Sequence, residues 1–165
     1  MFKKDYSKKL LVLLLSLMLV LPGFTPALAQ ESQGLTIYHT NDVHARVEGT
    51  DTQVGYGKIA GLVLAEKAEG ENVLLLDAGD ATHGQSIAIL SEGESIIKLM
   101  NLAGYDGMTA GNHDFNYGKE LLSELKELAD FPLMGANVLT SEGKNYLDDY
   151  FIKEIAGKKI LILGL

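Results

Sequence analysis

Hydrophobic residues in this chain fall into two kinds of run, and the two kinds alternate. "LTIYHT" (35–40) is β-branched and alternates apolar with polar, which predicts a strand ending near Asn41. Residues 43–52 are polar and turn-rich. "VGYGKIAGLVLAEKAE" (54–69) places Ile59, Leu62, Val63 and Leu64 near helical spacing. "NVLLLDAG" (72–79) is a continuous apolar run closed by Gly79, the pattern of a strand buried on both faces. "ESIIKLMNLAG" (94–104) predicts a helix closed by Gly104, and "YDGMTAG" (105–111) a weaker strand. In "YGKELLSELKELAD" (117–130), Leu121, Leu122, Leu125 and Leu128 share one helix face, with Glu and Lys opposite. "FPLMGANV" (131–138) reads as a strand, and "YFIKEIAGKKILILGL" (150–165) as two strands turning at Gly157-Lys158.

The order is therefore βαβαβαβ followed by a hairpin. Alternation of this kind predicts an α/β fold, with a mostly parallel sheet built from βαβ units and covered by helices. The apolar strand "KILILGL" runs to the last residue. A finished domain rarely ends inside its most hydrophobic strand, so the chain is expected to be an incomplete domain.

The first 29 residues follow a different pattern. Lys3, Lys4, Lys8 and Lys9 precede an apolar run from Leu10 to Leu21, which Pro22 and Gly23 end. The run is short for a bilayer span, and Ala27-Leu28-Ala29 offers small residues at a cleavage site. Residues 1–29 are expected to be a secretory signal peptide, with an uncleaved anchor as the other reading. Residues 30–34 then form a short mature tail, and 35–165 the domain. The leader holds four of the 14 basic and one of the 22 acidic residues, so the rest carries 10 against 21, a net of −11. Such a balance argues against a nucleic-acid polymer as partner and can help gather cations. With no cysteine, any metal must be held by His, Asp, Glu or Asn.

Three polar clusters follow three successive strands. Asp42 and His44 follow the first, Asp80 the second, and Asn112 with His113 the third. The carboxyl ends of parallel strands share one sheet edge, where α/β proteins build their sites. Residues about 70 positions apart thus converge without special assumption. Gly79, Gly84, Gly111 and Gly118 flank the clusters and permit tight turns. Taken singly the residues say little: Asp80 suits a turn or helix cap, Asn112 a left-handed turn, and Asp114 a cap for the helix beginning near Tyr117. Together they suit divalent Mn, Zn or Fe, and a pair of ions about 3.5–4 Å apart can clamp a phosphoryl group.

"HTNDVH", "DAGD" with Gly84, and "GNHDF" resemble the calcineurin-like metallophosphoesterases. The wider contexts resemble the 5′-nucleotidase branch, which includes 2′,3′-cyclic-nucleotide phosphodiesterases. The resemblance spans Leu35 to Leu165. It implies the N-terminal part of a four-layer αββα sandwich, two divalent metal ions, and hydrolysis of nucleoside 5′-monophosphates by an in-line water in a secreted or cell-surface enzyme. It implies that Asp42 and His44 bind one metal, that Asp80 bridges both, and that Asn112 binds the second. His113 would then stabilise the transition state or protonate the leaving oxygen.

Two departures qualify the resemblance. The branch usually places an aspartate where Asn116 stands, to orient the histidine; Asn116 also looks like the cyclic-phosphodiesterase members. Asp114 replaces a glutamate. The family's remaining histidine ligands and its nucleobase-stacking domain lie downstream of these segments, so this polypeptide alone is expected to bind metal poorly. His39 is expected to be buried or behind the ligands, and His83 could approach substrate. The alternatives are another phosphoester or sulfur ester as substrate, or a non-enzymatic secreted binding module.

Overall fold

The run Val73–Asp77 forms β2, an interior strand with a neighbour on each side. The computed structural model describes residues 34–165, so the predicted signal peptide and residues 30–33 of the tail lie outside the described residues. β1 (Thr36–Thr40) pairs with β2 in parallel, with Tyr38 opposite Leu75 and Thr40 opposite Asp77. β3 (Gly107–Thr109) lies on the other side, with Asp77 opposite Met108. β4 (Leu133–Met134) pairs with β3, placing Leu133 opposite Met108. The strand order is β1-β2-β3-β4, all parallel.

Each parallel step needs a crossover. These are α1 (Tyr56–Ala68), the pair α2 (Ser86–Leu90) and α3 (Glu94–Ala103), and α4 (Lys119–Leu128). Crossovers of one hand in a sheet growing one way put their helices on the same face. Side chains from α1, α3 and α4 accordingly share one core with Val73, Leu75, Met108 and Leu133. In α3, Ile96, Ile97, Met100 and Ala103 are buried, and Gly104 closes the helix at φ +78°. In α4, Leu122 and Leu125 are buried, while Glu120 and Lys126 sit at the ends that favour their charges.

Leu74 and Met134 alternate to the opposite face and are also buried. That face is covered in part by an antiparallel hairpin, β5 (Tyr150–Ile155) and β6 (Lys158–Leu163). Phe151 of β5 lies so close over Gly107 that a Cβ there would sit 2.6 Å from its Cε1. Ile37, Ile152, Leu161 and Leu163 remain exposed.

The structure corrects several expectations. In α1 only Tyr56 and Val63 are buried, and Leu62 and Leu64 are exposed, so the apolar spacing there marks the helix without defining its buried face. The helix α2 has no counterpart among the expected elements, because Ile87, Ile89 and Leu90 are exposed and show no helical period. The hairpin turns at Ala156 (φ +52°) and Gly157 (φ +72°), one residue earlier than expected, as a two-residue loop with positive φ at both positions requires. His39 is exposed rather than buried.

At the end of the sheet away from the polar clusters, Asp106 ties three elements together. Its carboxylate accepts from Lys67 Nζ of α1 (2.8 Å), from the Leu75 N–H of β2 (3.0 Å) and from Lys153 Nζ of β5 (2.5 Å). Burial works to raise its pKa, but the two ammonium groups and the amide outweigh it and hold the group below the usual carboxylate range. A depressed folded pKa contributes stability above the unfolded value, and that stability is lost as the pH falls through the folded one. Asp106→Ala is therefore expected to cost about 2 kcal/mol near pH 7, with the difference from wild type shrinking below roughly pH 4. Urea unfolding of both proteins across this pH range checks it.

Candidate metal centre

β1 and β2 keep running side by side beyond their last residues. Ala78 N–H donates to Thr40 O (2.8 Å), Asp42 N–H to Gly79 O (2.9 Å), His44 N–H to Asp80 O (2.9 Å) and Ala45 N–H to Ala81 O (3.0 Å). The Asp42–Ala45 loop is thus laid along the Asp80 loop by backbone bonds alone. Asp42, His44, Ala45 and Asp80 all have left-handed backbone, with φ between +48° and +60°. That conformation costs a non-glycine residue on the order of 1 kcal/mol, and such strain collects at functional sites.

Asp114 binds the second loop to the third. Its carboxylate is 1% exposed and accepts from the N–H groups of Asp80 (2.8 Å), Ala81 (3.2 Å), Thr82 (2.9 Å) and Gly111 (2.9 Å), and from Thr82 Oγ1 (2.7 Å). Asp80 returns the contact, its Oδ1 accepting from the His113 N–H at 2.7 Å. The backbones of Gly79 and Gly111 touch: a Cβ on Gly79 would lie 2.5 Å from Gly111 N, and one on Gly111 would collide with Asp80 Oδ1. Asp114 therefore does not cap the following helix. That helix starts at Lys119 with Gly118 as its N-cap and no side-chain cap bond, and a 3₁₀ turn (His113–Phe115) fills the gap.

This clasp brings His44, Asp80 and His113 together, with one ligand atom of each within 4.8 Å of the others. The His44 and His113 rings meet edge to face, with centroids 5.1 Å apart. Two imidazoles and a carboxylate are donors that suit a borderline or hard divalent ion, so the residues fit a metal. Asp42 is exposed, accepts from Asn41 Nδ2 (2.6 Å), and stands outside that three-residue cluster. It lines a cavity of about 290 Å³ with Asn41, Arg46 and Tyr56. Asn112 is exposed and helical (φ −68°, ψ −31°) rather than left-handed, and its side chain makes no capping bond. Asn116 is exposed, with Nδ2 3.0 Å from His113 Nδ1. The Asn116 amide can donate to Nδ1 or, turned over, accept from it, so it can serve either ring tautomer.

Sequence reasoning missed what lies beneath these loops. Asp77, 4% exposed, accepts from Thr40 Oγ1 (2.5 Å) and the Gly79 N–H (2.8 Å), and Thr40 Oγ1 also meets Tyr105 Oη (2.9 Å). Burial pushes the Asp77 carboxyl up to about 7; the bonds from Thr40 and Gly79 oppose this, and the charges of Asp114 and Asp42 add to it. Burial likewise raises the Tyr56 and Tyr105 hydroxyls above their usual range. The first aspartate of "DAGD" was the available signal: an acid inside an apolar run is costly unless hydrogen-bonded.

The fold and the clustered donors define a metallophosphoesterase site at the carboxyl edge of a parallel sheet. The calcineurin-like phosphoesterase family model matches residues 35–163, and the chain belongs to that family. It is 37% identical over 154 residues to the snake venom 5′-nucleotidase of Gloydius brevicauda, a match covering 84% of this chain and 26% of that protein. It is 38% identical over 145 residues to the 5′-nucleotidase of Vibrio cholerae, covering 83% of this chain and 26% of that protein. The crystal structure of the 5′-nucleotidase precursor from Thermus thermophilus matches with TM-score 0.69 and 30% identity, over 79% of this chain and 28% of that one. The chain spans about a quarter of the length of these curated relatives and matches the N-terminal part of their fold.

Asp114→Ala removes five acceptor contacts without removing a proposed ligand. Groups that hold ligands from behind typically change metal affinity 10- to 100-fold. The substitution is expected to weaken Mn²⁺ binding at least about tenfold, as isothermal titration calorimetry would show; unchanged affinity would remove Asp114 from the site's support.

Proposed function

We propose that this protein is a secreted, dinuclear-metal phosphoesterase that hydrolyses nucleoside 5′-monophosphates to nucleoside and phosphate. The convergence of His44 and Asp80, two of the proposed ligands, with His113, the proposed acid, at the carboxyl edge carries this reading. The basic, apolar, small-residue leader supports secretion, and among the described residues no helix is long and apolar enough to cross a membrane. In this reading Asp42 and His44 would hold one metal, Asn112 the second, and Asp80 would serve both.

When bound, divalent metal supplies charge stabilisation to the phosphoryl group and lowers the pKa of water. This chain's residues do the rest. Asp80 is held in place through its own N–H and Oδ1, so its carboxylate is oriented before any ligand arrives. Asn116 engages His113 Nδ1, which leaves Nε2 as the ring nitrogen available to the leaving oxygen.

Phosphate release from AMP by the intact protein is expected to require Mn²⁺ or a similar ion, to stop with EDTA, and to fall at least about 10³-fold in Asp80→Ala. No metal-dependent release from any nucleotide would defeat the reading.

Asn116 favours a second reading, a 2′,3′-cyclic-nucleotide phosphodiesterase. Faster turnover of 2′,3′-cyclic AMP than of AMP would put it first. Under either reading Asn116→Asp gives the imidazolium a carboxylate partner and is expected to move the pH–rate profile to higher pH. A profile identical to wild type would deny Asn116 its positioning role.

A further inference from the structure

We infer that His83 is a specificity-determining residue that hydrogen-bonds a hydroxyl of the leaving alcohol, which rests on the function proposed above and would there be the ribose of the nucleotide. His83 lies in the loop after β2, and both its neighbours are fixed. Thr82 is bound through its N–H and Oγ1 to Asp114. Gly84, at φ +130°, passes so near His44 that a Cβ would come within 2.7 Å of the His44 carbonyl oxygen. The imidazole between them is therefore placed rather than loose.

Its ring runs nearly parallel to that of His113, with centroids 6.1 Å apart and planes at 14°. It also meets the Tyr117 ring at 5.2 Å. His83 stands outside the cluster that His44, Asp80 and His113 form. It is half-buried, and neither ring nitrogen has a hydrogen-bond partner among the described residues. A half-buried imidazole with unused polar atoms beside such a site can bond a substrate without breaking any bond within the protein. In the proposed reading the phosphoryl group would lie against the metals held by His44 and Asp80, and the leaving oxygen against His113. The next atoms outward belong to the alcohol, and the ring beside His113 is the one they meet. A neutral imidazole offers one donor and one acceptor, the pairing a sugar hydroxyl answers.

The test compares wild type, His83→Ala and His83→Gln in the intact, manganese-loaded protein. The substrates are AMP, glycerol 3-phosphate and p-nitrophenyl phosphate, whose aryl leaving group has no hydroxyl. For His83→Ala, kcat/KM is expected to drop about tenfold on the two hydroxyl-bearing substrates and by less than about twofold on p-nitrophenyl phosphate. His83→Gln should recover most of the loss, and bound manganese should match wild type in both variants. Equal losses on all three substrates would make His83 a phosphoryl or structural residue and overturn the inference, as would no loss on any. A wild type inactive on AMP but active on glycerol 3-phosphate defeats the proposed nucleotide substrate alone, and His83 is then judged on the glycerol ester. A wild type that hydrolyses none of the three defeats both.

Discussion

Everything at the carboxyl edge of this sheet depends on one buried carboxylate. Asp114 gathers four backbone N–H groups and a hydroxyl from two loops that no backbone ladder joins. A buried carboxylate is tolerable only when its acceptor sites are filled, and unpaired amides are costly when buried, so each side needs the other. The geometry is reciprocal: Asp114 holds the Asp80 backbone while the Asp80 side chain holds the His113 backbone. Two close-packed glycines, Gly79 and Gly111, let the loops approach near enough for this exchange. The β1 loop joins by another route, through backbone bonds that prolong its pairing with β2. Strain in four left-handed residues is held in place by these contacts.

The same edge concentrates negative charge. Asp77, Asp80 and Asp114 are all buried there, and Asp42 stands beside them. The upward displacement of Asp77 to about 7 records the crowding as well as the burial. An arrangement of this kind favours a cation wherever a carboxylate still has an unused oxygen. It also separates the roles of the acids. Asp77 and Asp114 are spent on hydroxyls and amides, whereas Asp42 and Asp80 keep capacity at the surface of the site. The opposite end of the sheet shows the contrasting solution, in which the Asp106 carboxylate is matched by two lysines.

Much of the architecture was legible because the hydrophobic runs differ in period. The unbroken run in β2 marked an interior strand, and the leucine face of α4 marked a helix on the core. The order of polar clusters after strands was enough to bring residues distant in the chain to one edge. Side-chain partners were less legible. Asp114 resembles a helix cap because a cap and a clasp need the same acceptor, and only the folded chain shows which amides reach it. The α2 helix leaves no periodic signal because Ile87, Ile89 and Leu90 face solvent and only Ala88 is buried. Asn112 suits a left-handed turn by residue type, yet the 3₁₀ turn that follows sets it helical. His39 reads as buried or behind the ligands from its place in a strand, yet strand alternation turns it away from the helix face that Tyr38 occupies and leaves it exposed.

The central claim is that Asp114 orients the metal-binding loops without itself touching metal. A crystal structure of the intact protein grown with Mn²⁺, with anomalous data at the manganese edge, tests it most directly. The account predicts manganese bonded to Asp80 and His44 at about 2.0–2.3 Å, with Asp114 still accepting from the amides of Asp80, Thr82 and Gly111. Manganese bonded to Asp114, or located away from Asp80, would contradict it.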